Sequence, residues 1–502
     1  MMYNSFNEVK KMENGVLLQG FHWYIKPEEK LWKQLQEKVK SYKEMGFSAI
    51  WLPPAYKGVG GKNDNGYGVY DLYDLGEFNQ KGSIETKYGT KEDYLACIQA
   101  FQKAGIDVYG DIVLNHKMGA DGTEIVNAKE VNRQNTNEII SGDEQIKVYT
   151  LFTFPGRNKK YSDFIWHWYH FDGIDYDEKT HRNTIFLFDQ KSWDQEVDDA
   201  NAFAKKVDCL TLLVYDENGN YDYLMGADLD FGNEETVQEV TSWLYWYINF
   251  TKINGLRLDA VKHIPASFYK NLLPKIYHDF NKELFTVGEY WHGDVYHLEK
   301  YLKEVNFEMS LFDVPLHYHF YDASHNENYD FSHIFDQTLV SMYPSNAVTF
   351  VDNHDTEPSQ SLASFIPDWF KGHAYCLTLL RKAGYPCVFY GDLEGIDYEN
   401  VSSKKEMLQQ LLSLRKQYNE GNQEDYFDHP HLIGWTRHTE TKAMAIIMTN
   451  SNGGIKSMYV GKEDRHCYYV NVFNGYQRVL INEDGYGDFY CEDKNFAVYV
   501  KE

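Results

Sequence analysis

Cysteine is scarce in this chain and follows no pattern. Its six cysteines, Cys97, Cys209, Cys376, Cys387, Cys467 and Cys491, are scattered over 502 residues and never form a CxxC pair. Such spacing argues against a zinc site and against a disulfide frame, so free thiols are expected. Long apolar runs are missing too. No stretch is long enough to cross a bilayer, and no start-of-chain segment joins basic residues to an apolar core as an export signal does. A cytoplasmic protein with no membrane partner is the expectation. Basic residues are in deficit, 49 Lys and Arg against 75 Asp and Glu, for a net charge of −26. That charge repels phosphate backbones, so nucleic acid is not an expected partner. No repeat recurs at a period of tens of residues, which excludes solenoids and propellers. A monomer is expected.

What is present is a large apolar core and many aromatic rings. Hydrophobic residues make up 43% of the chain, ample for a barrel-sized domain with one or two smaller ones. Aromatics reach 16%, with 41 Tyr and 11 Trp. Aromatic planes suit the CH faces of sugar rings, although a tyrosine-rich core accounts for most of them.

Strand-like apolar runs recur at 15–21, 47–54, 107–114, 255–260, 284–290, 307–313, 346–352 and 385–391. Helical patterns lie between them at 31–45, 91–104, 234–252, 266–280 and 375–382, with 404–418 after the last run. Gly46, Gly105, Gly255 and Gly384 stand where helices should stop. Eight runs in alternation with helices predict an α/β fold, a (β/α)8 TIM barrel. The third-to-fourth connection is too long for a loop and carries alternating segments such as 147–154, so an inserted β-rich domain is expected at 116–233. The barrel then comprises 1–115 and 234–422. Short strands with glycine-rich turns predict a C-terminal antiparallel β-sandwich at 423–502.

Several of the apolar runs end abruptly in polar clusters. Arg257 and Asp259 are two residues apart and face the same way on a strand, so the guanidinium can orient the carboxylate as a nucleophile needs. A structural ion pair is the alternative for that segment alone. Asp111, Asn115 and His116 close the third run, Glu289 the fifth, and Asp352 to Asp355 the seventh. On a barrel these ends share one rim, where barrel enzymes place their chemistry. Two carboxylates of different pKa at one rim meet the needs of glycosidic cleavage, in which one protonates the leaving oxygen and the other attacks the anomeric carbon.

Residues 111–116, 255–263, 288–291 and 350–355 resemble, in order, the four short signature regions of the α-amylase family of glycoside hydrolases. Similarity extends through 18–24, 66–74, 312–318 and 388–392, and is nearest to the bacterial liquefying and intracellular members. The resemblance implies a retaining, endo-acting hydrolase of α-1,4-glucosidic bonds in starch, glycogen or maltodextrins. It assigns Asp259 as nucleophile, Glu289 as acid and then base, and Asp355 as the carboxylate that orients the distorted sugar. Arg257, Asp111, His116 and His354 would surround that sugar, and Tyr67 would stack beneath it. Lys262 and His263 would line the leaving-group side. Trp291 could stack on sugar or pack inside. A transglycosylase on the same site is the nearest rival, and a glucan-binding protein with a disabled site is a rival of another class.

Calcium follows from the same resemblance. Asn115, Asp222 and Asp228, with a carbonyl from His263, match ligands of a structural Ca²⁺ at the junction of the barrel and the inserted domain, and Asp172, Asp194 and Asp230 match further cation ligands. Here the chain departs from the family: residues 199–216 look inserted, and Gly226 and Gly232 replace bulkier or charged residues.

Overall fold

The computed structural model describes residues 15–194, 220–282, 284–418, 420–439 and 441–502. The segment 199–216 and Cys209 lie outside the described residues. Eight parallel strands close a barrel. In chain order they are β1 (Leu17–Gln19), β2 (Ala49–Leu52), β3 (Asp107–Ile112), β4 (Gly255–Leu258), β5 (Phe285–Gly288), β6 (Ser310–Phe312), β7 (Ala347–Phe350) and β8 (Tyr385–Phe389). Each falls inside one of the eight runs read from the sequence. The four residues of β2, Ala49-Ile50-Trp51-Leu52, are all buried, because one face looks into the barrel and the other is covered by helices.

A helix follows every strand: α1 (Leu31–Met45), α2 (Lys91–Lys103), α3 (Glu234–Thr251), α4 (Ala266–Asp279), α5 (Val295–Glu304), α6 (Val314–His325), α7 (Asp368–Leu379) and α8 (Lys405–Tyr418). α1 buries Leu31, Leu35, Val39 and Tyr42 on one stripe, and it stops at Gly46, whose φ of 104° lets its N–H return to Tyr42 and Lys43 carbonyls. α5 and α6 were not anticipated, and α7 begins well before Tyr375.

Gly255 corrects the sequence reading. α3 ends instead at Lys252, with φ 59°. Gly255 opens β4, where an added Cβ would lie 2.4 Å from the Phe285 carbonyl oxygen and 2.5 Å from the Tyr109 ring. The glycine answers a close approach of neighbouring strands rather than a left-handed turn.

Between β3 and α3 the chain makes an excursion built on an antiparallel sheet of 122–132, 135–139, 144–151, 173–177 and 182–188. Its two ends are tied by a short antiparallel ribbon, His116–Lys117 against Ala227–Asp228. After α8 the chain forms a six-stranded and a two-stranded antiparallel sheet. The strand Ala443–Thr449 is buried along its whole length because its alternate side chains serve two cores. Met444, Ile446 and Met448 join the barrel core, while Ala443, Ala445 and Ile447 meet Met458 and Phe489 of the smaller sheet.

Among the described residues, Cys97, Cys376, Cys387, Cys467 and Cys491 are free thiols. No helix among them is long and apolar enough to cross a membrane.

Candidate active site

The site grows from the register of β3, β4 and β5. Arg257 is paired with Asp111 on one side and Val287 on the other, and Leu258 with Gly288, so Asp259 and Glu289 emerge side by side at the C-terminal rim. Backbone bonds continue the ladder past the strands. The N–H of Asp259 donates to the Ile112 carbonyl at 2.9 Å and that of Glu289 to the Leu258 carbonyl at 2.8 Å.

Arg257 is almost wholly buried, and its guanidinium serves three acids. Nη1 donates to Asp111 Oδ1 at 3.0 Å and to Asp259 Oδ1 at 2.5 Å, and Nη2 lies 3.8 Å from Glu289 Oε2. Burial pushes the Asp111 carboxyl up to about 6 against the pull of Arg257. Its second oxygen accepts from Trp51 Nε1 at 2.9 Å and from the Tyr67 hydroxyl at 2.8 Å. Glu289 accepts from the Ala260 N–H at 2.9 Å. Burial, reinforced by Asp259 and Asp355, raises its carboxyl to about 8. Asp355 is pushed to about 7, chiefly by burial.

Two histidines have their tautomers set by their neighbours. His116 Nε2 lies 2.8 Å from the Tyr67 carbonyl and must donate, which leaves its buried Nδ1 without a partner among the described residues. Gln19 Nε2 donates to the Phe21 carbonyl and to His354 Nδ1, at 3.3 and 3.1 Å, so the His354 proton sits on Nε2, 3.4 Å from Asp355 Oδ2. Burial lowers both imidazoles, His354 well below the usual value. The Tyr67 ring lies parallel to His354 at 5.2 Å and to Trp23 at 5.9 Å.

A second cluster stands beside the ribbon that carries His116. Single oxygens of Asp172, Asp194 and Asp230 lie within 4.8 Å of one another, as do those of Asp172, Asp222 and Asp228. Asn115 Nδ2 donates to Asp228 Oδ1 at 3.2 Å. Asp172 Oδ2 and Asp228 Oδ2 are buried with no partner among the described residues. Lys191 pairs with Asp230. Burial first, then mutual repulsion, raises Asp172 and Asp228 well above the carboxylate range and Asp222 to about 8. Orphaned hard oxygens packed against like charge fit a divalent cation.

The chain matches the family described as alpha amylase, catalytic domain, over residues 31–452. It belongs to the α-amylase family. It is 48% identical to an α-amylase of Geobacillus stearothermophilus over 97% of this chain and 87% of that one. Identity is 43% with a glucan 1,4-alpha-maltohexaosidase of Bacillus sp. (strain 707), over 97% and 93% of the two chains. With a cytoplasmic α-amylase of Escherichia coli (strain K12) it is 39%, over 98% and 99%. The structure of Geobacillus thermoleovorans α-amylase complexed with acarbose shares the fold, with a TM-score of 0.62 at 19% identity over 98% of each chain.

In this family member Arg257 joins Asp111, Asp259 and Glu289, Tyr67 joins Asp111 and His116, and His354 lies against Tyr67 and Asp355. Lys262 Nζ donates to the Trp291 carbonyl at 3.2 Å. Trp291 is only 8% exposed. Its Nε1 donates to the Tyr318 hydroxyl at 3.0 Å and its ring packs on Phe350, so it takes the inside option. His263 bonds through Nδ1 to the Tyr221 carbonyl, next to Asp222. Gly232 donates its N–H to Asp194 at 3.1 Å, and a Cβ there would lie 3.0 Å from Asp230 Oδ1. Sequence reasoning missed Trp51, Gln19 and Trp23, whose partners are remote in the chain. It also missed Lys371, which lies under the Asp355 loop with its buried Nζ 2.5 Å from Asp352 and 2.6 Å from Asp392.

Proposed function

We propose that this chain is a retaining, endo-acting hydrolase of α-1,4-glucosidic bonds in starch, glycogen or maltodextrins. The observation that carries the reading is the shared guanidinium: Asp259 and Glu289 reach different nitrogens of Arg257, so both address one small volume. Glu289 is held as the neutral acid near pH 7 by burial and can protonate the leaving oxygen. Asp259, oriented by Arg257, attacks the anomeric carbon. Glu289, now ionised, then takes a proton from water, which releases the sugar with its configuration retained.

The remaining groups position the sugar. Tyr67 offers its face, His116 Nδ1 a free acceptor, and the His354 Nε2–H and Asp355 a donor and acceptor pair for hydroxyls. Lys262 and His263 are assigned to the leaving-group side.

Calcium fits the acidic cluster, held by Asn115, Asp222 and Asp228 with the His263 carbonyl, while Asp172, Asp194 and Asp230 offer a second set of oxygens. Bound there, it would neutralise the buried charge and fasten the excursion to the barrel. Asp228 pairs with His116 in the ribbon and Asn115 directly precedes it, so that fastening also sets a sugar-binding group. The division into a barrel of 1–115 and 234–422, an inserted domain of 116–233 and a C-terminal domain of 423–502 is part of the proposal, supported by the ribbon at the mouth of the excursion. A cytoplasmic location is supported by the name of the Escherichia coli relative.

A product time course on soluble starch tests the reading. Endo cleavage releases a spread of oligomers early, of α configuration by NMR. Redistribution of chain lengths without new reducing ends would favour transfer instead.

A further inference from the structure

Glu357 lies two residues beyond Asp355, and none of the chemistry above uses it. It is fully buried. Oε1 accepts from the Trp23 backbone N–H at 2.8 Å, and Oε2 is buried with no partner among the described residues. Burial, with Asp355, Asp352 and Glu399 nearby, pushes its carboxyl up to about 9. Near neutral pH it is therefore an uncharged acid.

The segment it holds is gripped at several points. The Tyr24 hydroxyl donates to the Pro358 carbonyl at 2.8 Å and receives from Gln360 Nε2 at 2.9 Å. Lys87 Nζ lies 3.4 Å from the Trp23 carbonyl. Residues 357–360, which follow β7, thus clamp residues 23–24, which follow β1. Trp23 and Tyr24, with Tyr67, Lys87, Asn65 and Tyr398, line a cavity of about 620 Å³. Tyr67, the ring assigned beneath the attacked sugar, lines it, and Lys262 and His263, assigned to the leaving-group side, do not, so the cavity opens on the attacked sugar's side. A glucan chain would place there the sugars beyond the one attacked by Asp259.

We infer that Glu357 is a positioning residue for long substrates: through the Trp23 N–H it locks the aromatic wall of this cavity to the loop that carries Asp355. The inference rests on the glucan-hydrolase reading of the site. A chain that fills the cavity feels the wall and the catalytic acids together. A chain bound only around the broken bond meets Tyr67 at the near end of the cavity and does not extend along the wall that Glu357 holds.

The test is steady-state kinetics of E357L, E357D and E357Q on maltoheptaose and maltotriose at neutral pH. E357L removes the acceptor and E357D withdraws it by one methylene. Each should raise KM for maltoheptaose about threefold to tenfold, the worth of one buried hydrogen bond, with kcat little changed. For maltotriose the KM should stay within about twofold. E357Q keeps the acceptor and the neutral state, and should restore the maltoheptaose KM. If E357L fails to fold, E357D carries the comparison. Equal KM shifts on the two substrates, no shift in E357D, or failure of E357Q to restore KM would overturn the role of Glu357. Absence of new reducing ends with the unmutated enzyme would overturn the reading of the site itself.

Discussion

Arg257 and Asp111 are register partners on adjacent barrel strands, and their side chains meet at 3.0 Å beneath the catalytic rim. The pair is a floor for the site. It fixes the guanidinium from below, so Nη1 also reaches Asp259 and Nη2 faces Glu289. Trp51 and Tyr67, bonded to the other Asp111 oxygen, hold that floor in place.

Lysine cannot reproduce a planar fork that serves several carboxylates. R257K should therefore lose on the order of 10²-fold or more in kcat, with a smaller change in KM, because the oriented nucleophile is lost. Kinetics on maltoheptaose check this, and a wild-type kcat would refute the clamp.

Removing the proton donor alone separates chemistry from binding. E289Q should lower kcat by about 10²- to 10⁴-fold, the range of general acid catalysis, while calorimetry still detects maltoheptaose. Equal loss of binding and turnover would argue that Glu289 serves the architecture instead.

The pH dependence follows from the raised carboxyls. Glu289 must be protonated to act as acid, so kcat/KM should fall as pH rises through about 8. Stability has the same sign. Burial pushes Glu289 and Asp355 up to about 8 and about 7 in the fold, well above ordinary carboxylates. The native state therefore binds more protons in that window, and their contribution is complete below about pH 4 and lost as pH rises toward 8. Melting curves of wild type and E289Q should run together near pH 4, where both side chains are neutral, and separate toward pH 9, where only the wild type must hold a buried charge.

Chelation tests the acidic cluster. Treatment with EDTA should lower Tm and activity together, and calcium should restore both. At a hundredfold excess over Kd the ion would contribute roughly 2.7 kcal/mol. D228N should weaken the response by removing charge from a carboxylate whose second oxygen has no other partner among the described residues. Identical Tm with and without EDTA would refute a structural cation.

G255A tests the correction made at β4. A methyl group there would meet the Phe285 carbonyl and the Tyr109 ring at contact distances no real Cβ shows, so the barrel must shift. Destabilisation of about 1–3 kcal/mol in denaturant unfolding is expected. A helix-stop role would predict a small change instead.

The eight barrel strands could be read in the sequence because each is buried on two faces and appears as a short apolar run. α1 could be read from residue 31 to 45 because its buried stripe keeps one helical period and ends in a glycine. α6 was hidden because its outward face, Tyr318, His319, Tyr321, Asp322 and His325, is largely aromatic, while buried His317 and Ser324 are polar, so the polarity pattern does not mark the period. Gly255 was misread because a glycine that ends a helix and one that admits a neighbouring strand look alike in one dimension. Among site residues, the acids stood out where apolar runs ended. Gln19 did not, since its partner His354 is 335 residues away.

By itself the sequence determined the order of the barrel strands and of six of the eight barrel helices, the kinds of group at the strand ends and the family they belong to, since local periodicity and short motifs suffice for those. Only the tertiary structure decided that one guanidinium serves Asp111, Asp259 and Glu289, that burial keeps the proton on Glu289 near neutral pH, and that Trp291 packs inward. Desolvation and charge pairing act through space, and although Arg257 and Asp259 share one short window, Asp111 and Glu289 reach the same guanidinium from other strands.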